Sequence, residues 1–193
     1  MIPKIIHQIW LSEISTIPEQ MLIWSKSFKK YNPDYEYVLW ENKELDNEFN
    51  LEKTYKTYNM ENEHPALKSN VLRLLLLQKF GGFYFDVDCE CFSSLDNLIS
   101  CNFVTNISGY NTNVIAYNEF FGSEPNGIMV NKCIDKMNIN ISNIHIDQEW
   151  KTGYKLFNDV ILCNSDKDTI LLGPQVYEQY FKHYFANTWV KKK

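Results

Sequence analysis

Apolar and polar positions set a clear order of elements along the chain. Residues 2–10, I-P-K-I-I-H-Q-I-W, read as a strand that begins almost at once, which hints that it is central to a sheet. Pro18 opens a helical stretch to about Tyr31, with Met21, Trp24, Ser25 and Phe28 on one stripe and Lys26, Lys29 and Lys30 facing water. Asn32-Pro33-Asp34 ends it as a turn, and residues 35–40, Y-E-Y-V-L-W, read as a second strand. If the two strands are neighbours, they form a right-handed β-α-β unit with a parallel pair. Residues 41–62 are polar with a mild helical pattern, and predict a surface helix plus a loop. Pro65 suits a first helical position, and residues 66–80 are the strongest helix of the chain. Leu67, Val71, Leu72 and the Leu74 to Leu77 run predict that much of its circumference is buried, and Gly81 terminates it.

Residues 80–90, F-G-G-F-Y-F-D-V-D-C-E, then read as a buried strand that leaves the core at its end. A turn and a short helical segment follow at 93–98, with strands at 103–107 and 114–117 and a loop at 118–123. A helix is expected over 127–137, a surface loop over 138–147, a turn at Thr152-Gly153, and strands at 160–163 and 170–172. The tail from Tyr177 to Trp189 carries too many rings for a free end and should fold back against the sheet. The expected class is α/β, with a central sheet flanked by helices, in a single domain spanning 1–193.

A net charge of −5 with no long run of like charge argues against a nucleic-acid partner. An acidic protein that binds a nucleotide must supply its counter-charge locally, by a metal or an arginine. The five cysteines, at 89, 91, 101, 133 and 163, show no disulfide spacing. Cys89 and Cys91 could start a zinc site, but no second pair or spaced histidine completes one in the sequence. Core thiols in a reducing compartment are the simpler reading. With no signal peptide and no apolar run long enough to span a bilayer, a cytoplasmic location is expected, peripheral membrane contact remaining open.

The chemistry gathers at the acidic strand. In a strand, residues i and i+2 share a face, so Asp86 and Asp88 would point the same way, with Glu90 continuing that face. Two adjacent carboxylates repel and need a cation, a proton or a basic side chain between them. A hard ion such as Mg²⁺ or Mn²⁺, itself carrying phosphate oxygens, meets that need. The plainer alternative is a polar strand end running into solvent. Gly81-Gly82 would let the backbone turn and approach a ligand closely. Asn70 and Arg73 interrupt the apolar helix on one face, and the buried arginine needs an anionic partner, either a structural one or a ligand. Ile9 and Trp10 end the first strand, where an α/β fold places nucleotides; Trp10 is either a base-stacking ring or core. His7, mid-strand, is read as buried and satisfied. His183 and Trp189 would close the site from the tail.

Several segments together resemble a known family. These are the opening I-P-K-I-I-H-Q-I-W, then N-P-D-Y-E-Y-V-L-W, then H-P-A-L-K-S-N-V-L-R-L-L-L-L-Q-K-F-G-G-F-Y-F-D-V-D-C-E with S-L-D-N-L after it, and later N-E-F-F-G-S-E-P-N, Thr152-Gly153 and K-H-Y-F-A-N-T-W. They resemble, in order and over nearly the whole chain, the DXD-containing glycosyltransferases of the family 32 type, with the helix-Gly-Gly-strand-DXD block as the specific part. The resemblance implies a GT-A nucleotide-sugar-binding fold with a mixed, mostly parallel sheet. It also implies Mn²⁺ or Mg²⁺, a nucleotide-diphosphate sugar donor, and retention of anomeric configuration on transfer to a hydroxyl of a glycan, lipid-linked or protein acceptor. By the same resemblance Asp88 is a direct metal ligand, Asp86 contacts the metal or the donor, and His183 completes the metal or diphosphate contacts. Trp10 lies by the base, Arg73 and Asn118 by the donor sugar, and Trp189 over the diphosphate. The family usually has Ser-Asp where this chain has Ser69-Asn70, a loss of charge that bears on sugar preference or on activity itself. A second departure, Asn126-Gly127 in place of Asn-His-Pro, falls at a helix start. The rival readings are a metal-dependent phosphohydrolase or nucleotidyltransferase, and a degenerate sugar-nucleotide-binding module.

Overall fold

The computed structural model describes residues 1–12, 16–109, 113–143, 145–165 and 167–186. Its centre is a six-stranded sheet in the order β2-β1-β3-β6-β5-β7. The strands are β1 (Ile5–Ile9), β2 (Glu36–Trp40), β3 (Gly82–Phe85), β5 (Phe103–Ser108), β6 (Ile115–Ser123) and β7 (Thr169–Leu172). A separate two-stranded ladder joins β4 (Cys89–Cys91) to β8 (Phe181–His183). Helices α1 (Glu19–Tyr31), α2 (Asn42–Phe49), α3 (Leu51–Thr57), α4 (Pro65–Phe80), α5 (Ile128–Ile141), α6 (Gln148–Lys151), α7 (Tyr154–Asn164) and α8 (Pro174–Tyr177) flank the sheet. β1 runs parallel to β2 and β3, β6 runs antiparallel to β3 and β5, and β7 is parallel to β5. The sheet is mixed and largely parallel, as expected, and the opening β-α-β unit forms.

β3 is buried along its whole length because both faces of the sheet are covered. Phe83 and Phe85 pack with Phe28, Phe120 and Phe181 on one side, while Tyr84 packs with Phe121 and the α4, α5 and α7 side chains on the other. α4 delivers the chain into β3. His64 caps its start by accepting the Ala66 N–H, and Gly81, at φ 65°, ends it. A Cβ on Gly82 would lie 2.6 Å from the Ile5 carbonyl oxygen. The glycine pair therefore permits close approach to β1, whereas the sequence reading gave that approach to a ligand.

Five local expectations give way to tertiary context. Residues 80–90 are not one strand, because the chain leaves the sheet after Phe85, turns through Asp86 to Asp88 and resumes as β4. Residues 118–123 continue β6, with the β5 register shifting between Thr105 and Ile107 to absorb the extra residues. Residues 138–141 extend α5, and the polar stretch at 41–62 forms two helices, α2 and α3. Residues 160–163, read as a strand from their apolar run, lie inside α7. The turn expected at Thr152-Gly153 forms, as the junction between α6 and α7, with Thr152 buried. All five cysteines are free thiols, and among the described residues no helix is long and apolar enough to cross a membrane.

His7 is satisfied, as expected, and its tautomer follows from its neighbours. The Trp40 indole N–H donates to Nδ1, so Nε2 carries the hydrogen and donates to the Gly81 carbonyl at 2.9 Å. Burial drives its pKa down from 6.5 to about 4, against the smaller upward pull of that carbonyl. The unfolded chain takes up this proton near pH 6.5 and the folded chain near pH 4, so the stabilisation is complete above pH 6.5 and is lost as the pH falls towards 4. The loss amounts to about 3 kcal/mol. Urea titrations of wild type and His7→Gln at pH 7, 5.5 and 4 should show a flatter acid slope in the variant; equal slopes would contradict this assignment.

Candidate active site

The carboxyl ends of β1 and β3 open onto a cleft of about 380 Å³. Ile9, Trp10, Leu11 and Ser12 from the end of β1 form one wall, with Met21 of α1 beside them. His64, Pro65, Ala66, Ser69 and Arg73, from the first half of α4, form another. Asp86, Val87 and Asp88 form the floor, and His183 and Phe185 close it from the tail. Four of the sequence-predicted residues beside the acidic pair's own two thus meet across one cleft: Ile9, Trp10, Arg73 and His183.

Asp86 and Asp88 reach the cleft from a turn. The Cys89 N–H donates to the Asp86 carbonyl at 3.0 Å, closing it, and the Gln8 side-chain amide donates to the same carbonyl at 2.9 Å. The Asp86 N–H in turn donates to the Glu119 carbonyl at 2.8 Å. Asp86 is therefore locked to β1 and β6 through its backbone groups, and the Asp88 carbonyl accepts the Tyr184 N–H at 3.0 Å.

Each carboxylate already has a basic neighbour. Arg73, only 5% exposed at its side chain, lies 3.1 Å from Asp86, and the Tyr84 hydroxyl donates to Asp86 at 2.7 Å. Arg73 also donates to the Ser69 carbonyl and hydroxyl and to the Asn118 carbonyl, and stacks over the Tyr84 ring at 4.6 Å. Burial opposes its charge, but Asp86, Tyr84 and Glu119 outweigh that and hold it firmly protonated. His183 Nε2 lies 3.0 Å from Asp88 Oδ1, and the Ala186 N–H donates to Asp88 Oδ2 at 2.8 Å. Burial opposes the charged forms of both partners. Their mutual hydrogen bond and charge prevail, raising the His183 pKa and lowering that of Asp88.

The placement of the remaining candidates is mixed. The Asn118 side-chain N–H donates to Asn70 Oδ1 at 3.2 Å, so these two amides form a bracket behind Arg73, outside the residues that line the cleft. Gly82 lies within the sheet. Glu90 leaves the acidic face: it pairs opposite Lys182 in the β4–β8 ladder and accepts from the Tyr184 hydroxyl at 2.6 Å. Trp189 falls outside the described residues. Met21, Tyr84, Val87, Ser69, Phe185 and Glu119 were not read as site residues from the sequence. Met21 and Ser69 gave a signal that was available, since each precedes or sits on a helix entering the site; Glu119 gave none. It is 8% exposed, accepts from the Asn106 amide at 2.8 Å, and burial raises its pKa.

The donor chemistry suits a divalent cation. One ligand atom from each of Asp88, Cys89 and His183 lies within 4.8 Å of the others. Among the described residues, His183 Nδ1 is buried without a hydrogen-bond partner. The Asp88 carboxylate can hold a hard ion beside the diphosphate of a ligand in the cleft, with Asp86 and His183 adjacent.

Comparison with known proteins shows similarity to glycosyltransferases. Residues 18–104 match the family described as the glycosyltransferase sugar-binding region containing DXD motif. The chain is 28% identical over 97% of its length to inositol phosphoceramide mannosyltransferase 3 of Schizosaccharomyces pombe, covering 56% of that protein. It is 35% identical over 51% of its length to a mannosyl phosphorylinositol ceramide synthase of Saccharomyces cerevisiae, covering 26% of that protein. The chain thus spans only part of these curated relatives. Among solved structures, the PaToxG glycosyltransferase superposes with a TM-score of 0.66 at 20% identity, over 84% of this chain and 69% of that one. The UDP-bound glycosyltransferase domain of the YGT toxin gives 0.60 at 12% identity, over 91% and 80%. These structures share the fold, an α/β arrangement of the GT-A kind.

Proposed function

We propose that this chain, a DXD-containing domain of GT-A fold homologous to mannosyltransferases, is a metal-dependent glycosyltransferase of the family 32 type. It moves a hexose from a nucleotide-diphosphate sugar to a hydroxyl of a glycan, lipid-linked or protein acceptor, with retention at the anomeric carbon. The observation that carries the reading is the convergence of Asp86, Asp88, Arg73 and His183 on one cleft whose far wall is Ile9 and Trp10. The relatives named for inositol phosphoceramide favour a mannosyl donor and a lipid-linked acceptor.

Asp88, with Asp86 and His183, would hold Mn²⁺ or Mg²⁺. The ion, when bound, supplies Lewis-acid stabilisation of the charge that develops on the leaving diphosphate. Arg73 is fixed by five contacts and keeps its charge, so it can orient the donor sugar and the Asp86 carboxylate with no rearrangement during the reaction. His183, 3.0 Å from Asp88, would keep that carboxylate oriented towards the ion and would bind the ion as neutral imidazole. Trp10 stands at the end of β1 to receive the base. The aliphatic and aromatic lining from Ile9, Leu11, Met21, Val87 and Phe185 excludes water from the scissile bond. For retention, the acceptor attacks on the face the diphosphate leaves, and the diphosphate takes the acceptor's proton, so no protein base is required.

A screen of UDP- and GDP-sugars with Mn²⁺, read by released nucleoside diphosphate with and without acceptor, tests the reading. Acceptor-dependent release with one donor class is expected. Release of monophosphate or inorganic phosphate would instead indicate a phosphohydrolase or nucleotidyltransferase. The Asn70 amide supplies a second test. Asn70→Asp puts a carboxylate next to Asn118 and on the same helix face as Arg73. Relative kcat/KM across a donor panel should shift by about tenfold or more. An unchanged profile would remove Asn70 from the sugar subsite.

A further inference from the structure

We propose that Asp88, Cys89 and His183 form a site for a thiophilic divalent cation such as Zn²⁺, which overlaps the position of the harder catalytic cation and inhibits transfer when filled. The sequence showed Cys89 with no partner of metal-ligand spacing. The fold supplies one from the far end of the chain. In the antiparallel β4–β8 ladder Cys89 stands directly opposite His183, so their side chains share a face. Asp88 precedes Cys89 at the closing turn, and one donor atom from each of the three lies within 4.8 Å of the others.

The donor set is sulfur, nitrogen and oxygen, a combination suited to Zn²⁺ and ill suited to Mg²⁺ or Mn²⁺. Asp88 and His183 line the cleft, while Cys89 is fully buried behind them. A hard ion takes the carboxylate side of the site and leaves the thiol alone. A softer ion can reach further in. His183 Nδ1 is buried and has no hydrogen-bond partner among the described residues. Three protein ligands with a fourth position open towards the cleft is a usual arrangement for a zinc ion that is not purely structural. Mn²⁺ stands at the weak end of the divalent affinity order, so Zn²⁺ displaces it at far lower concentration.

The binding step balances simply. The Cys89 S–H bond breaks, a sulfur–metal bond forms and the proton passes to solvent; His183 binds as neutral imidazole, releasing its proton if it carried one. Burial pushes the Cys89 thiol up well above its ordinary range, but a coordinating cation deprotonates a thiol outright. Tetrahedral donors sit about 3.5 Å apart, a spacing the triad reaches by small side-chain shifts. With Asp88 committed to the softer ion, the hard cation loses its principal ligand.

The test is a Co²⁺ titration of the full chain, read by thiolate-to-cobalt absorption in the near ultraviolet. The band should appear in wild type, persist in Cys163→Ser, which removes the exposed thiol, and vanish in Cys89→Ser. Inhibition by Zn²⁺ in the presence of Mn²⁺ should weaken by at least about tenfold in Cys89→Ser. If that variant does not fold, X-ray absorption on zinc-loaded wild type decides, with a sulfur neighbour at about 2.3 Å expected. Failure to bind Co²⁺, cobalt binding without the thiolate band, or a zinc shell of nitrogen and oxygen alone would overturn the proposal. The cobalt and X-ray readouts need no donor, so their failure is separate from any failure of the transferase reading.

Discussion

Replacing Asp88 with alanine is expected to lower sugar transfer by about a thousandfold or more, with little change in fold. Asp88 is the one carboxylate that both lines the cleft and belongs to the three-residue cluster of candidate ligands. Its pKa is held low, so it is an anion at neutral pH. A metal ion that polarises a phosphoryl oxygen contributes several kcal/mol to transition-state stabilisation, and each 1.4 kcal/mol is a factor of ten in rate. Structural losses are smaller: His183 loses its ion pair and the Ala186 N–H its acceptor, about 1–2 kcal/mol together. Turnover and thermal unfolding measured on the same preparation separate the two effects. Wild-type turnover in Asp88→Ala would remove Asp88 from the metal site.

The second large effect is expected at Arg73, where function and stability fall together. Arg73→Ala leaves the Asp86 carboxylate with the Tyr84 hydroxyl alone and strips the Asn118 carbonyl of its donor. Removing one member of a buried pair costs about 3–5 kcal/mol. Asp86 is 27% exposed at its side chain, so solvent recovers part of this and about 2–3 kcal/mol is the better figure. For a chain of this length that corresponds to a fall in Tm of about 4–12 °C. Arg73→Lys keeps the charge but cannot reach Ser69, Asn118 and Asp86 at once, so it should recover stability more than activity. Calorimetric melting with donor kinetics on both variants checks this. A Tm unchanged in Arg73→Ala would show that the network is solvated rather than buried.

The central architecture was legible because its signals are strong and local. The α4 run of leucines, the Gly81 stop and the alternation of Phe83, Tyr84 and Phe85 each agree with the fold they adopt, and the two faces of β3 follow directly from that alternation. The acidic pair was found for a reason that needs amending. Asp86 and Asp88 reach the cleft together through a turn closed by Cys89 and Gln8, and neither contact is visible in a strand periodicity of two. The loop expected at 118–123 became strand because its polar residues lie opposite the β5 irregularity, where Asn118 and Glu119 find partners in Asn70 and Asn106. Val160 to Cys163 carried the composition of a strand and was drawn into α7 by packing on β6 and α5. The ring-rich tail placed His183 at the site's edge and the resemblance gave it a metal role, but no local pattern indicates that β8 will pair with β4. The Cys89–His183 juxtaposition, made by that same pairing, could not be seen in the sequence at all.

The most direct test of whether Asp88, with Asp86 and His183, would hold a cation for a donor diphosphate is calorimetric titration of the wild-type chain with UDP and with GDP, once with Mn²⁺ and once with a chelator. The account predicts that at least one nucleotide binds at least about tenfold more tightly with Mn²⁺ present. Equal affinities for both nucleotides with and without the ion would contradict it.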